Sequence, residues 1–224
     1  MIRKFIQSYL EKSGKRYEID SRIPESLLLR TFYIRLIMMV RGILYLRKKV
    51  FLGTSVTVLN KRNIVFGKNV TINSYTEIDA YASEKIVFGD NVKIGSYSKL
   101  LSTSHLAKYG KGMVIGPNSA FGDFTHFGAP GGITIGRDVI GGSYISFHSE
   151  NHNFSDPGIL IREQGVNSKG IQVGNNIWIG AKVTFLDGAT VGDNCVIAAG
   201  AVVRGEFPDN CIIGGVPAKI IKTI

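Results

Sequence analysis

The chain has only two cysteines, Cys195 and Cys211, and they stand in neither a CxxC pair nor any other metal-ligand spacing. This excludes a disulfide-stapled scaffold and is typical of a reducing, intracellular compartment. Long uninterrupted apolar runs are also missing, because four arginines break the most apolar stretch, residues 27–49. That stretch lacks the roughly 20 apolar residues of a membrane-spanning helix, and the first twenty residues lack the apolar core of a signal peptide. No GxxxxGK[ST] phosphate-binding loop occurs among the 27 glycines.

Acidic residues are scarce in the N-terminal part of a chain whose net charge is +10. Residues 1–50 hold twelve Lys and Arg against four Asp and Glu, whereas residues 51–224 hold fifteen against thirteen. The basic character therefore belongs to the N-terminal segment. The remainder has no basic run interleaved with aromatic residues, so nucleic-acid binding is not expected there.

A six-residue period of apolar residues is the strongest pattern in the sequence. It is unbroken near the C-terminus at Val173, Ile179, Phe185, Val191, Ile197 and Val203. It returns in shorter blocks at Phe66, Ile72 and Ile78, at Phe88, Ile94 and Leu100, at Ile115, Phe121 and Phe127, and weakly at Ile135 and Phe147. This period fits neither an α-helix nor an alternating strand. It predicts an all-β solenoid of short parallel strands, in which one apolar residue per face points inward and a small residue after it relieves the bend at the corner.

The period is interrupted for longest between His148 and Gly170, so a loop leaves the coil there. Its sequence, SFHSENHNFSDP over residues 146–157, has turn composition and reads as irregular from Ser149 to Asp156. Two of the four histidines, His148 and His152, stand in it. A polar loop displayed on a rigid scaffold is a candidate site for chemistry.

Residues 1–50 are expected to form a separate basic, apolar, helical segment before the coil of residues 51–224, with Pro24 placed to start the helix. Two roles stay open for it. The helix covers the open first turn of the coil, or it docks the protein on an anionic membrane surface. The arginines do not fall on one helical face, so the two roles are weighted equally, and both can hold.

Residues 170–222, GIQVGNNIWIGAKVTFLDGATVGDNCVIAAGAVVRGEFPDNCIIGGVPAKIIK, resemble the C-terminal half of the hexapeptide-repeat acetyltransferases in their NNxWIG, VIxAGAVV and GVPAK motifs. Within that family the chain is most similar to the polysaccharide and sugar O-acetyltransferases, related to the galactoside, maltose and xenobiotic acetyltransferases. The resemblance covers about residues 60 to 224. It implies a left-handed parallel β-helix, a homotrimer, and acetyl-CoA as the donor.

The resemblance also implies residue roles. The family's essential histidine corresponds to His152, which would act as general base on an acceptor hydroxyl. The backbone N–H of Ala181 would stabilise the oxyanion. A carboxylate of Glu150 or Asp156, or a backbone carbonyl, would orient the imidazole.

Further residues are expected around that centre. Acceptor binding is assigned to His126, His148, Glu150 and Trp178, although His126 stands about where relatives often carry Asn. The CoA-binding residues implied by the resemblance are Trp178, Ala181, Ala199, Gly200, Arg204, Lys219 and Lys222, and Gly205 stands where relatives often have a lysine. No metal is expected.

Two other function classes stay open. The left-handed β-helix carbonic anhydrases bind zinc through three histidines, and this chain has four, at 105, 126, 148 and 152. A catalytically silent solenoid used for binding or assembly is the third class. The identity of the acceptor, from capsule or O-antigen units to a small alcohol, and the length of the acyl donor are not determined by the sequence.

Overall fold

The computed structural model describes residues 3, 6–8, 18–103, 105 and 108–224. Its helix α1 spans Glu25–Leu46, with Pro24 as the N-cap and Arg47, in the left-handed conformation, as the C-cap. This confirms the helix expected after Pro24. Single-turn 3-10 helices cover Lys61–Asn63 and Ile161–Glu163. Within the described ranges, no helix combines the length and apolarity needed to cross a membrane.

After α1 the chain winds into a three-sided coil, in which successive strands pass in turn to sheets A, B and C. Sheet A contains β1 (Phe51–Leu52), β4 (Thr71–Ile72), β7 (Lys93–Ile94), β10 (Ala120–Phe121), β13 (Ile140–Gly141), β18 (Trp178–Ile179), β21 (Val196–Ile197), β24 (Cys211–Gly215) and β25 (Ala218–Thr223). Sheet B contains β2 (Thr57–Leu59), β5 (Glu77–Asp79), β8 (Lys99–Leu101), β11 (His126–Gly128), β14 (Ser146–His148), β19 (Thr184–Leu186) and β22 (Val202–Val203). Sheet C contains β3 (Ile64–Phe66), β6 (Ile86–Phe88), β9 (Met113–Ile115), β12 (Ile133–Ile135), β17 (Ile171–Val173), β20 (Thr190–Val191) and β23 (Glu206–Phe207). A separate pair, β15 (Asn151–His152) and β16 (Val166–Asn167), is antiparallel.

Neighbouring strands within each sheet are parallel, except β24 and β25, which confirms the expected parallel β-helix. The six apolar residues at six-residue spacing from Val173 to Val203 are at most 4% exposed. Rings of Phe127, Phe147 and Phe185 stack inside the coil with centroids 5.0 and 4.6 Å apart. Phe66 differs from this pattern and is only partly buried, because β3 is the last strand of sheet C and has a single neighbour.

Glycine follows the interior residues for a different physical reason from the one expected. A Cβ on Gly180 would lie 2.5 Å from the backbone N of Ala199 in the next coil, and Gly180 does not have a positive φ. The bend is made two residues later, where Lys182 takes a φ of 60°. Close packing of adjacent coils therefore excludes a side chain at Gly180, and the expectation that such a residue relieves the bend is wrong here.

Two edges of the coil carry rows of left-handed residues. The edge between sheets C and A, edge CA, uses Asn69, Asn91, Asn118, Asp138, Asn176, Asn194 and Asn210. The edge between A and B, edge AB, uses Tyr75, Tyr97, Phe124 and Tyr144 in four successive coils, with ring centroids 4.8 to 5.0 Å apart. Asn adopts this conformation at low cost, whereas aromatic residues do not. Ring stacking offsets that cost along edge AB.

The two ends of the coil are covered by different elements. Helix α1 lies on the first coil at Gly42, where a Cβ would overlap the carbonyl oxygen of Val50. Leu46 joins the core, and Arg41 donates to the backbone oxygen of Leu52 over 2.8 Å. This confirms one of the two roles expected for the N-terminal segment, which is to cover the first turn of the coil. At the other end, β25 pairs antiparallel with β24.

Candidate active site

The chain leaves the coil after His148, at the edge between sheets B and C, edge BC, and returns at Ile171 in β17. The excursion is more ordered than its turn composition predicts. Asn151 and His152 form β15, which pairs with Asn167 and Val166 of β16. The expectation of an irregular segment over Ser149 to Asp156 is therefore wrong at these two residues, because pairing partners 14 and 16 residues ahead cannot be recognised from local composition.

Two side chains hold the base of this hairpin. The carboxylate of Asp187 accepts hydrogen bonds from the backbone N–H groups of Lys169 and Gly170, each 2.8 Å long, and from the Asn151 amide over 3.3 Å. Lys108 donates to the Ser168 hydroxyl over 2.9 Å and pairs with Glu150 over 3.3 Å. Both holding residues come from other coils, so sequence reasoning about the loop missed them.

The imidazole of His152 is exposed on this hairpin and forms no side-chain hydrogen bond with the described residues. The orienting carboxylates expected for it have other partners. Glu150 pairs with Lys108, and an oxygen of Asp156 accepts from the backbone N–H of Gly158 over 2.8 Å. His152 is therefore open to an acceptor and to a neighbouring molecule.

His126 and His148 lie together on the outer face of sheet B, with ring centroids 5.5 Å apart. The rings meet because His126 leans across Gly128, where a Cβ would lie 3.1 Å from its Nε2. Burial, then the neighbouring His148 and Lys99, lower the pKa of His126. A neutral imidazole can both donate and accept hydrogen bonds, which suits a polyhydroxylated ligand. Across the ranges the structure describes, no three His, Cys, Asp or Glu side chains cluster as metal ligands.

Six of the seven residues expected to contact the donor lie on sheet A and edge AB, and Arg204 is the exception. The Trp178 side chain stands on β18 and is 60% exposed. Ala181 follows it at edge AB, and its backbone N–H forms no hydrogen bond with the described residues. Ala199 and Gly200 occupy the same edge one coil later, where Gly200 has a φ of 73° and open space around it.

The three expected basic residues are divided between two sides of the coil. Lys219 and Lys222 are exposed on β25, in the same sheet as Trp178. Arg204 is exposed at edge BC, the edge that carries the His152 hairpin.

Within one chain, His152 and Ala181 lie at different edges of the coil. His152 projects from edge BC, whereas Ala181 stands at edge AB, and sheet B lies between the two edges. Crossing sheet B from one edge to the other takes about six residues of extended chain, which span up to about 20 Å. That distance is far beyond the reach of a hydrogen bond. A site that contains both groups would therefore need edge BC of one molecule to face edge AB of another.

Residues 170–205 match the family model described as bacterial transferase hexapeptide (six repeats). This stretch of the chain is therefore a hexapeptide-repeat region. The chain is 34% identical over 125 residues to "Putative lipopolysaccharide biosynthesis O-acetyl transferase WbbJ" of Escherichia coli. This alignment covers 52% of this chain and 64% of the relative. The chain is 36% identical over 93 residues to a galactoside O-acetyltransferase of Escherichia coli, covering 41% and 44%. It thus spans less than two thirds of each relative.

Solved structures also align with the chain. The N-acyltransferase AntD of Bacillus cereus, in complex with dTDP and 3-hydroxybutyryl-CoA, covers 79% of this chain and 80% of its own at 20% identity and a TM-score of 0.49.

Proposed function

We propose that this protein is an acetyl-CoA-dependent O-acetyltransferase that acetylates a hydroxyl group of a sugar, in a surface polysaccharide or its precursor. The observation that carries the proposal is the exposed His152, held on a tied hairpin beside a hexapeptide coil. The names of the two relatives, both O-acetyltransferases, support the reaction class and a sugar acceptor. The carbonic anhydrase and silent-solenoid alternatives have no such support.

In the proposed reaction, His152 is the general base. The neutral imidazole takes the proton of the sugar hydroxyl as that oxygen attacks the thioester carbonyl carbon. The tetrahedral intermediate then expels the CoA thiolate, and protonated His152 gives its proton to that thiolate. Acetyl ester and free CoA are the products, and no covalent enzyme intermediate is formed.

Ala181 supplies the oxyanion donor in this proposal. Its backbone N–H has no other acceptor among the described residues, so it is available for the negative oxygen of the intermediate. A preorganised donor of this kind contributes about 3 kcal/mol in the transition state. Trp178, Ala199 and Gly200 extend the donor groove along sheet A and edge AB, and Lys219 and Lys222 are placed to meet the phosphates of CoA.

His126 and His148 are proposed to bind the acceptor. Their rings lie on sheet B, between the edge that carries His152 and the edge that carries Ala181. Because the pKa of His126 is lowered, its ring stays neutral near pH 7 and can accept as well as donate a hydrogen bond.

The active assembly is proposed to be a homotrimer of left-handed coils, located in the cytoplasm. The separation of edges BC and AB in one chain supports an arrangement in which each site lies between two subunits. The two free, buried cysteines support a reducing compartment.

The test is acetyl-CoA-dependent release of CoA with a panel of acceptor sugars. We expect His152→Ala to lower kcat by roughly 10²- to 10⁴-fold without loss of folding, since the change removes a general base from an exposed hairpin. His148→Ala is the matched control and is expected to lower the rate less. Longer acyl-CoA donors in the same assay define the donor length.

Equal losses from both substitutions, together with zinc in the purified wild type, would favour the metal alternative. Wild type that releases no CoA with any acceptor in the panel would favour the silent solenoid.

A further inference from the structure

Helix α1 exposes a wide apolar surface on the side away from the coil. This outer face comprises Leu29, Tyr33, Leu36, Ile37, Val40 and Leu44, and these side chains are 38% to 77% exposed. Their spacing places them on one side of the helix. Exposed large apolar residues that form a continuous stripe indicate an interaction surface.

The opposite side of α1 is already occupied by the coil. Gly42 and Leu46 are buried against it, and the Arg35 guanidinium lies 3.7 Å from the centroid of the Phe51 ring. Arg41 is bonded to the backbone oxygen of Leu52. The C-terminal half of the helix is therefore fixed against the end of the coil, and the outer face points away from these contacts.

The charge of this segment selects the kind of partner. Residues 26–50 contain six Arg and Lys and no Asp or Glu. Four of the six, Arg30, Arg47, Lys48 and Lys49, are exposed. Two copies of this helix packed face to face would bring like charges together, whereas an anionic surface supplies the missing counter-charge.

We propose that the outer face of α1 docks on an anionic lipid bilayer, with the helix lying in the plane of the surface. Apolar side chains of such a helix enter the boundary between headgroups and acyl chains, and the flanking cations contact anionic headgroups. Tyr33, which is exposed on the outer face, has the ring with a polar tip that suits this boundary. The inference goes beyond the proposed acetyl transfer, and its test does not depend on activity.

The apolar contribution is tested by flotation of the full chain with phosphatidylglycerol–phosphatidylcholine vesicles and with pure phosphatidylcholine vesicles. We expect binding to the first only, weakened by added salt. Leu36→Glu with Val40→Glu is expected to lower the partition coefficient at least tenfold. The control pair Val65→Glu with Val114→Glu, on half-exposed positions of sheet C, makes the same change elsewhere and is expected to leave binding unchanged.

The charge contribution is tested in the same assay. Lys48→Gln with Lys49→Gln is expected to lower the partition coefficient about 25-fold, at about fivefold per cation near the surface. Lys68→Gln with Lys85→Gln removes the same charge from exposed sites on the coil and is expected to have little effect. Circular dichroism of each variant checks folding.

Three results would overturn the proposal. The wild type remains unbound to anionic vesicles at low salt, or each test pair and its control lose binding equally. Alternatively, Leu36→Glu with Val40→Glu lowers the sedimenting mass in the absence of lipid, which would mean that a second copy of the chain covers the outer face.

Discussion

Glycine serves two separate purposes at the corners of this coil, and single substitutions distinguish them. At Gly180 the next coil leaves no room for a Cβ, whereas at Gly205 there is open space and a φ of 77°. The first position excludes a side chain by packing, and the second favours glycine only through backbone conformation.

We therefore expect Gly180→Ala to destabilise the protein more than Gly205→Ala. The clash with the Ala199 backbone forces adjacent coils apart, at a cost of about 2–3 kcal/mol, while a left-handed alanine costs about 1 kcal/mol. Chemical denaturation of both variants measures the difference. Equal losses would show that the Gly180 corner can relax.

The sequence predicts some residues of the candidate site and not others. His152 and Trp178 could be identified because they stand in contiguous motifs. The contact of His126 with His148 could not, because it depends on the His126 ring leaning over Gly128 of its own strand toward His148 in the next coil. Asp187 was missed since its role is to accept backbone hydrogen bonds from a distant part of the chain.

Among the elements, the β15–β16 hairpin owes its position to the Asp187 carboxylate. An equivalent carboxylate, Asp193, accepts the backbone N–H of Asn175 at edge CA over 2.7 Å, far from the hairpin in the coil. Hydrogen bonds from Asn175 lower the pKa of Asp193, so this group is ionised and a strong acceptor. The two aspartates form a matched pair for experiment.

Asp187→Ala is expected to lower kcat about tenfold, because misplacing a catalytic group by even 1 Å is costly. Amide hydrogen exchange of residues 151–167 is expected to speed up in this variant. Asp193→Ala removes a comparable hydrogen bond, costing about 1–3 kcal/mol of stability, and is expected to leave that exchange and kcat unchanged. Unaltered exchange in Asp187→Ala would mean that Lys108 alone holds the hairpin.

The coil itself was the most predictable element. A six-residue period reports one inward residue per side, so it predicts a coil of short parallel strands and marks the places where the chain leaves it. It carries no information on the outside of the coil. The sequence predicted that α1 could cover the first turn, but not its contact with Val50 or the aromatic row on edge AB, because both follow from packing between distant residues.

At the scale of the whole molecule, the proposed site is divided between edges BC and AB, so the proposal makes assembly a condition of activity. We expect a homotrimer in which His152 of one subunit and the Ala181 N–H of its neighbour form one site. Analytical ultracentrifugation combined with activity at dilution tests the first part. An active monomer would contradict it.

Mixed trimers test the division of the site. His152→Ala subunits lack the base, and Ala181→Pro subunits lack the N–H donor, so each homotrimer is expected to be inactive. A trimer containing both kinds has one complete site, giving about one third of the wild-type rate. No recovery on mixing properly folded subunits would mean that both groups serve the same subunit.

Different elements cover the two ends of the coil, and they oppose end-to-end association of molecules. A parallel coil with bare ends offers unpaired strand edges and an apolar cross-section to the opposite end of another molecule, which is the geometry of an extending fibre. Here α1 blocks one end through Gly42 and Leu46, and the antiparallel β25 blocks the other by reversing the strand direction. The same repeat that makes the core regular would otherwise make it polymerise, so these two terminal elements keep the particle finite.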